Sequence, residues 1–338
     1  MDTADSSAKI SSPVTAPAKW YVDPAFWPIE RQRVFADQWQ FLTHESALPN
    51  PRDWRADILA GYPVVVVRGD EGALRAFHNV CRHRAGPLTR EDSGTCDGYL
   101  TCQYHGWRYT LDGRLRAARD FGAASDFGLF PIRLQIWRGL VFAGIGENLP
   151  DFQTQMAPLD ARLNNTNWSN LKVGLRRTHL LDCNWKTYVE NYLEGYHVPA
   201  MHPSLDAEIV SEQYRVTVEG KVVLHDAPPK SGAVYDGLWG WVWPNIGINV
   251  YNRGLMIERM SPVGHRQIQL DYLYLTPDGE PVPDATIAMS DQVTAEDKWI
   301  AEKVQQNLDA GVYDTGRLSP KHETAVAAFQ QWVAALIA

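Results

Sequence analysis

Two histidines, His197 and His202, stand five residues apart, and Glu194 lies three residues before the first. A pair of imidazoles so spaced suits a mononuclear iron centre, which would need one carboxylate from elsewhere in the chain. The plainer alternative puts one histidine in the core and the other on the surface. The stretch Asn184–His202 must position them. Asp182 or Asn184 can cap a helix there, and Trp185, Tyr188, Val189 and Tyr192 recur at helical spacing. On that helix Glu194 and His197 would share a face. Pro199 then interrupts it, so His202 is expected on a turn.

A second constellation is Cys81-Arg82-His83 and Cys102-Gln103-Tyr104-His105. Two thiolates and two imidazoles on two loops can bind zinc or an iron–sulfur cluster. C-x-H is an unusual half for a zinc finger, whereas a Rieske [2Fe–2S] centre takes two cysteines on one iron and two histidines on the other. Arg84, Gly86, Pro87, Gly106 and Trp107 supply backbone freedom and an apolar lid. Cys96 lacks a metal spacing and reads as structural, and Cys183 as a small core residue.

The elements around these loops read as strands. Pro63–Arg68 and Leu74–His78 form a hairpin across Gly69–Gly72, and Asp112-Gly113 is a tight-turn signal between two short strands. Leu134–Trp137 and Leu140–Ala143 continue the pattern until Gly144–Pro150 reads as a linker. Pro24–Trp39 reads as a helix, and 1–19 as a flexible tail. The resulting expectation is an α+β chain with residues 40–147 as an antiparallel β domain, 160–338 as a second domain, and the helix of 20–39 packed on the core. In the second domain, Arg215–Val218 and Lys221–Leu224 pair across Glu219-Gly220. Trp239, Trp241 and Trp243 alternate on one strand face. Packing under a helix is the favoured reading of that face; a substrate wall or aromatic cage for a cation is the sharper one.

Ser290–Ala310 reads as a long helix with Ile300, Val304 and Leu308 as its apolar stripe. Asp297 falls on that stripe, where a carboxylate needs a compensating charge or a metal. Glu296 and Lys298 read as solvated neighbours.

The segments Cys-Arg-His-Arg-Ala-Gly-Pro-Leu and Cys-Gln-Tyr-His-Gly-Trp-Arg-Tyr resemble the loops of Rieske non-haem iron oxygenases, and the histidine stretch and late helix follow in that family's order. The resemblance implies an N-terminal Rieske domain ligating a [2Fe–2S] cluster through Cys81, His83, Cys102 and His105. It also implies a C-terminal helix-grip (START-like) catalytic domain, with iron(II) held by His197, His202 and Asp297. In the family a carboxylate at the position of Glu194 links the mononuclear site to a Rieske histidine of a neighbouring subunit. That implies a His105–Glu194–His197 path in a homotrimer, with Asn191 beside it. Here that residue is glutamate rather than the commoner aspartate, and the segment from Asn191 is one residue shorter, as in carnitine-type members. Glu194, Glu258, the tryptophans and Gly316–Pro320 resemble members acting on quaternary ammonium compounds, and monooxygenation is favoured. An aromatic substrate and ring cis-dihydroxylation stand as alternatives. So, from other classes, do a pure electron carrier and a metal-free ligand-binding protein.

Composition bounds the rest. At 338 residues, 45% hydrophobic, 21% charged and net −8, the chain is globular and unlike a nucleic-acid binder. No run approaches the ~18 apolar residues of a membrane span, and the expected location is the cytoplasm. No GxGxxG fingerprint marks a flavin or nicotinamide site. Electrons must then come from a separate NAD(P)H-dependent reductase or ferredoxin, with O2 and a small molecule as co-substrates.

Overall fold

The computed structural model describes residues 13–121, 127–164 and 166–337. Its first half is an antiparallel sheet of β1 (Trp39–His44), β2 (Asp53–Leu59), β3 (Tyr62–Arg68), β4 (Leu74–His78), β5 (Ser93–Thr95), β9 (Pro131–Trp137) and β10 (Leu140–Gly144). Their order is β1-β10-β9-β4-β3-β2-β5, and a small sheet of β6 (Tyr99–Thr101), β7 (Arg108–Thr110) and β8 (Leu115–Ala117) sits beside it. The valine run Val64–Val67 is buried on both faces of β3. Val65 and Val67 pack with Cys81, Cys102 and Trp107, whereas Val64 and Val66 pack with Leu42, Leu48 and Leu59. The strand that supports the cysteine loops is therefore pinned from both sides.

The second half is an antiparallel sheet, β11-β17-β16-β15-β14-β13-β12, made from β11 (Leu171–Leu181), β12 (Arg215–Glu219), β13 (Val222–Asp226), β14 (Tyr235–Val242), β15 (Ile246–Tyr251), β16 (Gly254–Pro262) and β17 (Ile268–Pro277). One face packs on α3 (Phe152–Arg162) and, through Trp39, Phe41 and Phe142, on the first sheet. The other face receives α4 (Trp185–Tyr192), α7 (Asp284–Asp309) and α8 (Thr324–Ile337). This is the helix-grip arrangement, and the hairpin of β12 and β13 is where the sequence predicts it. Helices α3 and α8 were not anticipated.

The structure corrects two expectations near the N-terminus. The helix expected over 24–39 is instead α1 (Lys19–Val22), α2 (Phe26–Glu30) and a π-helical turn at Arg31–Ala36, and Trp39 opens β1. Of the expected tail, residues 1–12 lie outside the described residues, but Ala16 and Ala18 are buried. Thr15 N–H donates to Gly316 and Ala18 N–H to Asp314, so this strand is tied to the chain's far end. Glu30 also anchors the histidine-bearing helix: its carboxylate takes the Lys186 ammonium at 2.5 Å and the Trp185 indole N–H at 2.8 Å, all buried. Removing one partner of such a buried pair costs about 3–5 kcal/mol. Among the described residues no helix is long and apolar enough to cross a membrane.

Candidate metal centres and substrate cavity

Asn184 caps α4, its Oδ1 accepting from Lys186 N–H at 3.0 Å. The helix stops at Tyr192, so Glu194 and His197 do not share a helical face as expected. They meet through a tight turn. The Glu194 carboxylate accepts from the N–H groups of Tyr196 and His197 and pairs with His197 Nδ1 at 2.5 Å. Gly195 permits the turn, since a Cβ there would overlap the Tyr214 ring. His202 is the single residue between α5 (Val198–Met201) and α6 (Pro203–Glu208). It does project from a break, but Pro203 opens the next helix and makes that break; Pro199 sits harmlessly in the first turn of α5.

The two imidazoles present Nε2 to one point and to Asp297 Oδ1. The separations are 3.1 Å between the Nε2 atoms, 3.1 Å from His202 Nε2 to Oδ1, and 3.8 Å from His197 Nε2 to Oδ1. Adjacent ligands at ~2.1 Å from an octahedral ion lie about 3.0 Å apart, so this donor set fits one face of an octahedral iron site and leaves the opposite face open. Carboxylates fix both rings: Glu194 holds His197 Nδ1, and Glu296 Oε2 holds His202 Nδ1 at 2.6 Å. An Nδ1–H donated to a carboxylate leaves the Nε2 lone pair free for metal. Asn191 Nδ2 donates to Asp297 Oδ1 at 2.6 Å and orients the third ligand.

Glu296 is therefore not the solvated neighbour expected. The buried stripe of α7 also differs from the expected one. Ile300 is half-buried and Val304 is 39% exposed, while Thr286, Ser290, Thr294, Asp297, Ala301, Gln305 and Leu308 point inward. The stripe is mostly polar because it lines a site rather than a core: Ser290 accepts from the Tyr274 hydroxyl, Thr294 meets the Tyr272 hydroxyl, and Gln305 accepts from Asn184 N–H. A search for apolar periodicity could not have found it.

Beside the triad lies a cavity of about 90 Å³, room for about three water molecules at ~30 Å³ each or for one small organic group. Tyr192, Tyr214, Tyr235, Trp239 and Tyr251 face it, with Glu258 and His225. Of the three tryptophans singled out, only Trp239 lines the cavity. Trp241 and Trp243 are fully buried against Phe329 and Trp332 of α8, which the sequence reading had not placed there. Burial pushes the Glu258 carboxyl up to about 8 despite a 2.7 Å hydrogen bond from the Tyr188 hydroxyl. Burial, helped by His197, holds His225 down to about 3, so its ring is neutral. The tyrosine box had no signature in sequence, because its members come from four separate segments.

In the first half, Cys81 follows β4, and Cys102–His105 joins β6 to β7. The loops are stitched by Cys81 N–H to Gly86 (2.8 Å) and Gln103 N–H to Pro87 (2.9 Å). Gly106 adopts φ +73°, a conformation that favours glycine. Both thiols are buried; the Tyr109 hydroxyl stands 3.1 Å from Cys81 Sγ. The His83 and His105 rings lie 4.6 Å apart, and Trp107 stacks on His83 at 4.8 Å. His83 Nδ1 is buried without a partner among the described residues, as the donor atom of a metal ligand would be. Two inner thiols and two outer imidazoles match the donor set of a Rieske cluster.

Comparison with known proteins agrees. The family described as the Rieske [2Fe-2S] domain matches residues 38–128, and the ring hydroxylating alpha subunit (catalytic domain) matches 168–226 and 217–338. A choline monooxygenase of Arabidopsis thaliana is 32% identical over 90% of this chain and 78% of its own. The carnitine monooxygenase oxygenase subunit of Escherichia coli K12 is 31% identical over 88% and 85%. A crystal structure of the quaternary ammonium Rieske monooxygenase CntA with L-carnitine superposes with a TM-score of 0.86 at 27% identity, covering 97% of each chain. Naphthalene 1,2-dioxygenase, at 18% identity and a TM-score of 0.78, shares the fold. With the cysteine–histidine loops, the His197–His202–Asp297 cluster and both domain matches in one chain, the protein belongs to the Rieske non-haem iron oxygenases, as a terminal oxygenase (alpha) subunit that uses a [2Fe–2S] cluster and mononuclear iron.

Proposed function

We propose that this oxygenase hydroxylates a small organic cation that carries no carboxylate, a quaternary ammonium alcohol of the choline type being the best match. The observation that supports this reading is the lining of the cavity: seven tyrosine and tryptophan rings and the acidic Glu194, Glu258 and Asp297, with no lysine or arginine among the described residues. Aromatic faces attract a desolvated cation by about 2 kcal/mol or more, and a carboxylated cation would find no basic partner. A hydroxyl has one candidate in His225 Nε2, buried and without a partner among the described residues. The names of the choline and carnitine relatives point to quaternary ammonium compounds, and the choline relatives to one without a carboxylate.

The balanced reaction is R–H + O2 + 2 e⁻ + 2 H⁺ → R–OH + H2O. His197, His202 and Asp297 would hold the iron, which would supply oxygen activation, and Cys81, His83, Cys102 and His105 would hold the cluster, which would supply electrons one at a time. The remaining work belongs to the chain. Glu194, Glu296 and Asn191 hold the three ligand side chains, while the aromatic walls exclude water and orient the C–H bond. Glu194 also borders a second, outer cavity, and His105 is exposed on its loop. These support a homotrimer in which His105 of one subunit meets Glu194 of the next. The electron donor would be an NAD(P)H-dependent flavin and iron–sulfur reductase or a ferredoxin, working in the cytoplasm.

Single turnover tests the substrate class without a reductase. Protein reduced with dithionite, freed of excess reductant, is mixed with O2 and choline, L-carnitine, glycine betaine or benzoate. Hydroxylated product from choline well above the carboxylated cations is expected. Product mainly from benzoate would sink the cation reading, and product mainly from L-carnitine would refute the no-carboxylate clause.

A further inference from the structure

Between the two sheets lies a larger cavity, of about 710 Å³, lined by residues of both halves and by none of the candidate metal ligands. Arginines converge on it from different strands: Arg55 on β2, Arg176 on β11 and Arg259 on β16. Their charges are unevenly balanced. Arg259, which is 3% exposed, takes both nearby carboxylates: Asp57 at 3.0 and 3.1 Å and Asp271 at 2.6 Å. Arg177 is paired with Asp291.

Arg55 and Arg176, with the exposed Arg90, are left over. The hydrogen bond that Arg176 makes is to a neutral acceptor, Thr43 Oγ1, at 2.8 Å. Arg55 Nε is buried with no partner, and no carboxylate among the described residues pairs with either guanidinium. Burial and the charges of Arg55 and Arg259 push Arg176 down to about 10, although Asp57 and Asp271 oppose them. In a chain of net charge −8, two neighbouring guanidinium groups left without acids mark a locally positive pocket. Their planar donor forks suit the oxygen atoms of phosphate or a carboxylate.

We propose that this cavity binds a small dianionic oxyanion, phosphate being the simplest, clasped between Arg55 of one domain and Arg176 of the other. Two negative charges would turn the repulsion between the arginines into attraction to a shared ligand. Asp57 and Asp271 need not be displaced, because Arg259 already holds them. Glu91 and Asp92 also line the cavity and would repel a long acidic chain, which favours a compact ion. The ligand would bridge the domains. It would also sit behind β17, where Asp271 borders this cavity and Tyr272 borders both it and the substrate cavity.

The test is calorimetric titration of the metal-loaded protein with inorganic phosphate, against sodium chloride of equal ionic strength, followed by thermal melts. We expect one saturable phosphate site per chain and a rise in Tm that chloride does not reproduce. Arg55→Gln and Arg176→Gln should each weaken binding by about tenfold or more, with cluster and iron content unchanged. Arg177→Gln, whose arginine is already paired, should bind as the parent does. In phosphate-free buffer Arg176→Gln should melt higher than the parent, because a repulsion is removed. If Arg55→Gln fails to fold, Arg176→Gln decides. Phosphate heats indistinguishable from chloride, or saturable binding that survives Arg176→Gln, would overturn the site.

Discussion

Replacing Glu258 by glutamine should flatten the pH dependence of cation binding. The carboxyl is 3% exposed, and burial, reinforced by Asp297 and opposed by the Tyr188 hydrogen bond, raises it to about 8. Tyr188 and Tyr272 beside it are raised well above 10, so they stay neutral. Below about 8 a quaternary ammonium ion meets a neutral acid and must expel its proton to gain a counter-ion. If only the ionised form binds, affinity falls about tenfold per pH unit below the titration point, and about fifty-fold between pH 8 and 6. The experiment is choline calorimetry from pH 6 to 9 in two buffers of different ionisation heat. It is run with the mononuclear site free of iron, so that Asp297 keeps its charge. The parent should release about one proton per choline at pH 6 and almost none at pH 9. Glu258→Gln should release none and bind at every pH about as the parent does at pH 6. Stability moves in a linked way. A carboxyl raised from 4.5 to about 8 favours the folded state fully below 4.5, and that preference disappears as pH rises through about 8. Relative to the parent, the variant should therefore gain stability toward alkaline pH, by at most about 5 kcal/mol. Equal choline affinity of the parent at pH 6 and 9, or a variant that keeps the slope, would refute the counter-ion role.

Other substitutions separate the remaining roles. Glu296→Ala should lower iron affinity about 10- to 100-fold, read as mononuclear iron content, and leave the cluster spectrum intact. Glu194→Gln should keep both metals and lose most coupled product formation; near-normal product would remove it from the electron path. Trp239→Ala should weaken choline binding beyond its loss of stability, whereas Trp241→Ala, fully buried under α8, should cost about 3–5 kcal/mol of stability in denaturant melts and leave choline affinity of the folded protein near the parent's. Tyr109→Phe removes a hydroxyl 3.1 Å from Cys81 Sγ. Because hydrogen bonds to cluster sulfur stabilise the reduced form, its cluster potential should fall in direct voltammetry; an unchanged potential would show that the contact does not tune it.

The sequence by itself determined what is local. The cysteine–histidine loops are short, each following a strand, and each carries its own cysteine and histidine, so Cys81 stays with His83 and Cys102 with His105. Asn184 caps its helix by a bond two residues long, and His197 and His202 converge within one broken helical run. Tertiary structure decided the rest. Asp297 and its neighbour Glu296 reach His202 from 95 and 94 residues away, and only packing shows that the first meets His202 Nε2 and the second Nδ1. Periodicity states which residues share a face but not what that face meets. Thus the indole face was legible in outline, while the division of Trp239 to the cavity and Trp241 to α8 was not. The polar stripe of α7 was invisible for the same reason. Buried hydroxyls and amides are tolerable only when partners on other elements satisfy them, and those partners, such as Tyr274 for Ser290 and Asn184 for Gln305, exist only in the folded chain.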